Sequence, residues 1–139
     1  MSRIHLPGSS RTVLTVGGLR LFFIIVGFAV SLFAAAGDGA WLAHVPEKDR
    51  IRPNPLASDP DSVPAGAKLF ERHCAKCHGE DGYGRGKRPS LRSDRVKAAA
   101  PGELQWLLTN GSLKNGMPSW SGLPEPQRWQ IISYLKTLQ

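Results

Sequence analysis

The sequence predicts an all-α domain with about three main helices, all in the C-terminal part of the chain. Apolar residues recur at helical spacing in three segments, around Phe70, Leu107 and Ile131. Prolines and an Asn-Gly pair stand where these segments begin and end. No stretch shows the apolar–polar alternation of a half-buried strand, so we expect no sheet.

Residues 1–36 are typical of an export signal. Three arginines precede sixteen uncharged residues, 21–36, which end in an Ala-x-Ala cleavage pattern before Gly37. Apolar residues also extend back to position 13, so residues 13–36 could instead remain as a membrane anchor, although sixteen residues fall short of the ~20 that cross a bilayer. Both interpretations place the rest of the chain on the periplasmic side of a bacterial cytoplasmic membrane, soluble or anchored.

Residues 37–60 contain four prolines and no helical or strand period, which predicts a linker. The globular domain is then residues 61–139. We expect its first helix to begin at Asp61 or Ser62, both good capping residues, and to end near His73.

The rest of the domain is expected to alternate loops with two more helices. Residues 74–100 are rich in glycine and basic residues, which predicts a loop. A second helix is predicted over 101–110, since proline opens it and Asn-Gly supplies a left-handed end. After another loop, the last helix is predicted over 124–137 and carries an apolar stripe.

The chain has two cysteines, in the sequence Cys74-Ala75-Lys76-Cys77-His78. Such a pair can form a disulfide, half of a zinc site, a redox dithiol or a haem attachment site. A zinc site needs four ligands, and the sequence has no second cysteine pair and no matching histidine pair. A redox dithiol normally follows a strand, and none is predicted. The Cys-x-x-Cys-His spacing and the export segment together favour covalent haem.

Met117 is the one methionine besides the initiator, and it lies 39 residues after His78. It stands between Gly116 and Pro118 in a predicted loop, which is a poor place for a core-filling side chain. Its thioether is therefore a candidate metal ligand. His73 is a weaker alternative.

On these motifs, residues 61–139 resemble the small monohaem c-type cytochromes of class I. The resemblance implies a cytochrome c fold of about three helices wrapped around one haem c, with thioether bonds to Cys74 and Cys77. It also implies that His78 and Met117 are the axial ligands of the iron.

Further positions match the same family. Pro89 and Leu91 correspond to its Pro-x-Leu loop, which implies that the Pro89 carbonyl accepts a hydrogen bond from His78 and that Leu91 packs on the porphyrin. Gly66 and Phe70 correspond to a pair on the first helix that packs against an aromatic residue of the last helix.

The resemblance implies electron transfer without catalysis, because two strong axial ligands leave the iron no open position. We expect an electron carrier of a periplasmic or membrane-attached respiratory chain. The alternative is an electron-entry or electron-exit subunit of a larger membrane complex, such as an oxidase or a quinoprotein dehydrogenase. A haem sensor or peroxidase, from which Met117 dissociates, is a third and weaker hypothesis.

The charge pattern suggests which kind of partner the domain binds. The net charge is +7, and without the three N-terminal arginines 15 Lys and Arg remain against 11 Asp and Glu. This excess predicts redox partners with acidic docking surfaces. The basic run over residues 85–97 is either a docking patch or a solvated loop. No nucleic-acid-binding pattern is present, and no small-molecule substrate is expected.

Overall fold

The structure is a computed structural model that describes residues 40–138, so the predicted export segment lies outside the described residues. Six α-helices follow one another in this part of the chain: α1 (Glu47–Arg50), α2 (Ser62–His73), α3 (Ala75–His78), α4 (Asp94–Ala98), α5 (Pro101–Asn110) and α6 (Glu125–Thr137). Two 3₁₀ turns cover Ala40–His44 and Leu113–Asn115. None of these helices combines the length and the apolar character needed to cross a bilayer.

The all-α prediction is confirmed, and the described residues contain no strand. Helices α2, α5 and α6 are the three predicted main helices, and their ends match the prediction to within one residue. Residues 74–100 were predicted to form a loop, but they contain two short helices, α3 and α4. Each of these is about one turn long, too short for an apolar period to mark it.

The close crossing of α2 and α6 is the main packing contact of the domain. A Cβ atom at Gly66 would lie 2.0 Å from the carbonyl oxygen of Gln130 and 3.0 Å from Cβ of Tyr134. One turn further on, the rings of Phe70 and Tyr134 have their centroids 5.2 Å apart. Glycine at position 66 therefore allows the two backbones to approach, and the aromatic pair fills the space beside it.

A single apolar core joins this crossing to α5. Phe70, Ile131 and Ile132 are 1% exposed or less, and Trp129 is 2% exposed. Cys74 lies partly buried at the margin of the same core. The Cys-x-x-Cys-His motif thus begins at the edge of this core.

Residues 40–58, here called the strap, pack on the domain, in contrast to the predicted linker. The strap contains the first 3₁₀ turn and α1, and Trp41 and Leu56 contact the core. Arg50 pairs with the buried carboxylate of Glu103 at the start of α5. A Cβ atom at Gly102 would lie 1.9 Å from the carbonyl oxygen of Asp49, so the strap backbone lies directly on α5.

The strap also contacts α6. The side-chain amide of Asn54 donates to Ser133 Oγ at 2.9 Å and to the Trp129 carbonyl at 3.3 Å. Arg52 pairs with Glu125 and stacks over the Trp129 ring at 5.4 Å. These contacts join residues more than 50 positions apart, which is why the local pattern of prolines could not indicate them.

Candidate functional site

The two thiols and the imidazole of the motif lie on one short helical turn. The backbone N–H of Cys74 donates to the Phe70 carbonyl at 2.7 Å, so the motif continues from the end of α2. The N–H groups of Cys77 and His78 both donate to the Cys74 carbonyl, at 3.0 and 2.9 Å. Gly79, with a φ of 79°, then ends the turn, as a left-handed glycine does.

The two sulfurs have different surroundings. Cys74 is half-buried and Cys77 is exposed, and both thiols are free. Burial, followed by the charge of Cys77, raises the pKa of the Cys74 thiol to about 12. Cys74 therefore faces the interior as a neutral thiol, and Cys77 faces the surface.

His78 is held by the loop between α3 and α4, residues 79–93, which we call the Pro89 loop. Its Nδ1 atom lies 3.0 Å from the Pro89 carbonyl oxygen. Since a carbonyl can only accept, Nδ1 donates the proton, and in the neutral ring Nε2 keeps its lone pair. An imidazole oriented in this way is ready to bind a metal through Nε2.

The Pro89 loop is fixed in turn by the residues around it. The N–H of Gly84 donates to the His78 carbonyl at 2.7 Å. Gly84 has a φ of 91°, and a Cβ atom there would lie 2.4 Å from the Arg88 carbonyl oxygen. On the other side, the N–H of Leu91 donates to Gly82 at 2.8 Å, and the Leu91 side chain packs at the margin of the core.

Met117 stands at the end of a closed loop. Ser112 and Met117 exchange two backbone hydrogen bonds, of 2.9 and 3.1 Å. Gly116 turns the chain with a left-handed φ of 74°. A Cβ atom at Gly111 would lie 2.7 Å from the Pro118 carbonyl carbon, so this second left-handed glycine lets the two arms of the loop touch. We call residues 111–120 the Met loop.

The far end of the Met loop is attached to α5 and α6. The N–H of Trp120 donates to the Leu108 carbonyl at 2.8 Å, and the Ser119 hydroxyl donates to Thr109 at 2.6 Å. The buried guanidinium of Arg128 donates to the Leu123 carbonyl just beyond the loop. The side chains of Met117 and Trp120 lie half-buried against the core.

Two contacts connect the Met loop with residues that flank the Cys-x-x-Cys-His turn on either side of it in the chain. The His73 and Trp120 rings meet edge to face, with their centroids 5.3 Å apart. Arg88 Nη1 donates to the carbonyls of Asn115 and Gly116, at 3.0 and 3.1 Å. Neither contact is indicated by the sequence, because each joins residues that are far apart in the chain. In the sequence, Arg88 is one member of the basic run. Its position directly before Pro89 is the one local feature that could have indicated a role beside His78.

The basic run has two kinds of residue. Arg92 is structural, because its Nε donates to the Asp81 carbonyl at 2.6 Å and the guanidinium lies 4.9 Å from the Tyr83 ring centre. Arg85 and Lys87 are exposed. The run is therefore neither wholly a solvated loop nor wholly a docking patch.

Known proteins show clear similarity to this chain. The family described as cytochrome C oxidase, cbb3-type, subunit III matches residues 61–135. A quinohemoprotein alcohol dehydrogenase ADH-IIG of Pseudomonas putida is 34% identical over 121 residues, which are 86% of this chain and 17% of that protein. The cbb3-type cytochrome c oxidase subunit CcoP of Rubrivivax gelatinosus is 30% identical over 73 residues, which are 52% of this chain and 24% of that subunit. The chain thus spans about a fifth of the length of each relative.

Proposed function

Since the chain belongs to the family of cytochrome c electron carriers described as subunit III of the cbb3-type oxidase, we propose that it binds one haem c and passes single electrons between proteins. The resemblance to c-type cytochromes noted from the motifs is confirmed by this match. The single observation that carries the proposal is that Cys74, Cys77 and His78 present two free sulfurs and one oriented imidazole from α3 and its first flanking residue.

The donor set fits haem c. Cys74 and Cys77 present two free sulfurs from one turn, which suits two thioether bonds to one porphyrin. The chain has no other cysteine, so one haem is expected. In the neutral His78 ring, Nε2 keeps its lone pair because Nδ1 donates to the Pro89 carbonyl. A neutral imidazole and a thioether are ligands that haem iron takes in cytochromes c.

In the proposed function, His78 and Met117 would hold the haem iron. Pro89 keeps the His78 ring in one orientation and one tautomer through the 3.0 Å contact. The pairing of Met117 with Ser112 fixes the backbone from which the thioether projects. Leu91, at the margin of the core, is proposed to pack on the porphyrin.

A haem held by these residues supplies a one-electron couple. The role of the chain is to keep both ligands in place and to exclude exogenous ligands. We therefore propose a carrier without an enzymatic activity of its own.

The proposed docking patch consists of the exposed cations Arg85 and Lys87 of the basic run over residues 85–97. Exposed cations favour a partner with an acidic surface. The patch is proposed to orient that partner toward the Cys-x-x-Cys-His turn.

A second candidate function is a subunit of a larger membrane oxidoreductase complex. The similarity to parts of an alcohol dehydrogenase and of an oxidase subunit favours it. We propose that the domain works on the periplasmic side of the cytoplasmic membrane, either as a soluble carrier or anchored through residues 13–36. Affinity purification of the tagged full chain from membranes tests this candidate. A catalytic subunit in the eluate supports it, whereas a monomeric cytochrome in the soluble fraction supports the free carrier.

The main experiment combines intact mass and a visible spectrum of the full chain, produced with a haem-attachment system. We expect the added mass of one haem and, in the ferric protein, the weak red absorption band of methionine-ligated haem. Met117→Ala should lose this band and allow carbon monoxide to bind to the reduced protein. Leu113→Ala is the control, because this side chain lies in the same loop and is 76% exposed.

Two outcomes would contradict the proposal. A folded, colourless protein with both thiols free would exclude haem c. An unchanged red band in Met117→Ala would exclude methionine as the ligand.

A further inference from the structure

We propose that Arg88 is a positioning residue that keeps Met117 on the haem iron by clamping the Met loop to the loop that holds His78. This inference rests on the proposed function, because it requires that Met117 and His78 bind the same iron.

The first observation is the contact of the guanidinium with the Met loop. Nη1 of Arg88 bonds the carbonyls of Asn115 and Gly116, the two residues directly before Met117. A Cβ atom at Gly116 would lie 2.5 Å from Nη1 and 3.2 Å from Nη2, so the guanidinium lies directly against the loop backbone. These bonds join residues 27 and 28 positions apart in the chain.

The second observation is that the backbone of Arg88 belongs to the His78 side. The next residue, Pro89, accepts the hydrogen bond from His78 Nδ1. The Arg88 carbonyl lies close to Gly84, whose N–H donates to the His78 carbonyl. The backbone of Arg88 therefore belongs to the loop that holds one proposed ligand, and its side chain bonds the loop that carries the other.

The third observation is the placement of the Met loop. Its later end is held by Leu108 and Thr109 of α5 and by Arg128, whose Nη1 donates to the Trp120 carbonyl at 3.4 Å. Its tip, from Leu113 to Gly116, is exposed. Among the described residues, Arg88 is the side chain outside the Met loop that forms hydrogen bonds with this tip. Without it, the segment before Met117 would keep only its internal bonds, so the thioether would leave the iron more readily.

The test measures how easily an added ligand displaces methionine. Ferric holoprotein is titrated with imidazole, and loss of the red band reports displacement. Arg88→Ala is expected to lower the imidazole concentration at half-displacement roughly tenfold, which corresponds to about 1.4 kcal/mol. Arg88→Lys should fall between the wild type and Arg88→Ala, because an ammonium keeps the charge but lacks the planar fork.

Arg72→Ala is the matched control. Arg72 is also an exposed arginine close to the motif, and no side-chain hydrogen bond joins it to other described residues. Arg72→Ala removes the same charge as Arg88→Ala. It should leave the imidazole concentration at half-displacement within about twofold of the wild type. Haem mass and helical content of every variant show whether the fold is retained. If Arg88→Ala does not accumulate, Arg88→Lys and Arg88→Gln carry the same comparison.

The outcomes separate this inference from the function on which it rests. A wild-type holoprotein without the red band would contradict methionine ligation itself. A normal wild-type band, with equal midpoints for Arg88→Ala and Arg72→Ala, would overturn the role of Arg88 alone.

Discussion

Single residues set several close backbone contacts of this domain, and many of these residues are glycines. Gly66 lies under the carbonyl of Gln130, and Gly111 and Gly116 adopt left-handed φ angles in the Met loop. In each case a side chain would collide with backbone or would strain the turn. The family resemblance implied the role of Gly66, whereas the role of Gly111 in the Met loop needed the structure.

The first prediction concerns Gly66. Gly66→Ala should destabilise the holoprotein by about 1–3 kcal/mol, because the new Cβ atom would lie 2.0 Å from a backbone oxygen and α6 would have to move. Urea unfolding followed by far-ultraviolet circular dichroism measures this loss. Gly122→Ala is the control, since nothing lies within 4 Å of a Cβ atom at that position. Equal unfolding midpoints for the two variants would show that the crossing tolerates a methyl group.

At the scale of elements, the strap and α4 are held by side chains from distant helices. Glu103 accepts from the Ala100 N–H at 2.8 Å and from Arg50, so one buried carboxylate caps α5 and holds the strap. Lys136 of α6 donates to the carbonyls of Val96, Lys97 and Ala99 at the end of α4. Short helices of this kind depend on such tertiary partners, because few of their own hydrogen bonds are internal.

The second prediction concerns the pH dependence of the contact between the strap and α6. The Trp129 indole N–H and then Arg52 hold the pKa of Glu125 below its ordinary value of 4.5. A lowered folded-state pKa stabilises the fold above the unfolded value and loses this effect as the pH falls through the folded value. Glu125→Gln should therefore lower the melting temperature at pH 7, and the difference from the wild type should shrink below pH ~4.

Thermal unfolding of both holoproteins between pH 7 and pH 3 measures this difference. Glu71→Gln serves as the control, because Glu71 is exposed and has no ion pair among the described residues. A gap between wild type and Glu125→Gln that stays constant across this range would contradict the linkage.

At the scale of the whole molecule, the fold brings together two chain segments that are far apart in sequence. The Cys-x-x-Cys-His turn follows α2, and the Met loop follows α5; His73–Trp120 and Arg88–Gly116 connect them. A domain of this size buries a limited apolar core, so a covalently held cofactor between such segments would add much of its stability. The family match makes haem c the expected cofactor.

The third prediction concerns the stability that covalently bound haem would add to the domain. The double variant Cys74→Ala/Cys77→Ala should carry no covalent haem and should unfold at a lower urea concentration than the holoprotein. Intact mass and the urea midpoint measure the two effects. Lys76→Ala, which keeps both thiols, should gain the full haem mass. An unfolding midpoint unchanged by the loss of both cysteines would show that the polypeptide core alone stabilises the fold.

By itself, the sequence determined the three main helices, the Cys-x-x-Cys-His motif and the family. Those features depend on neighbouring residues: apolar spacing, prolines and glycines at helix ends, and five consecutive residues of one motif. The assignment of Met117, Pro89 and Leu91 to the haem site stays a prediction, and the Met117→Ala variant tests it for Met117.

Only the tertiary structure decided that residues 40–58 form a strap, that His73 meets Trp120 and that Arg88 bonds the Met loop. Each of these contacts joins side chains or backbone groups that are 27 or more residues apart. A hydrogen bond between distant residues leaves no periodic mark on either segment, because it depends on the path of the whole chain between them.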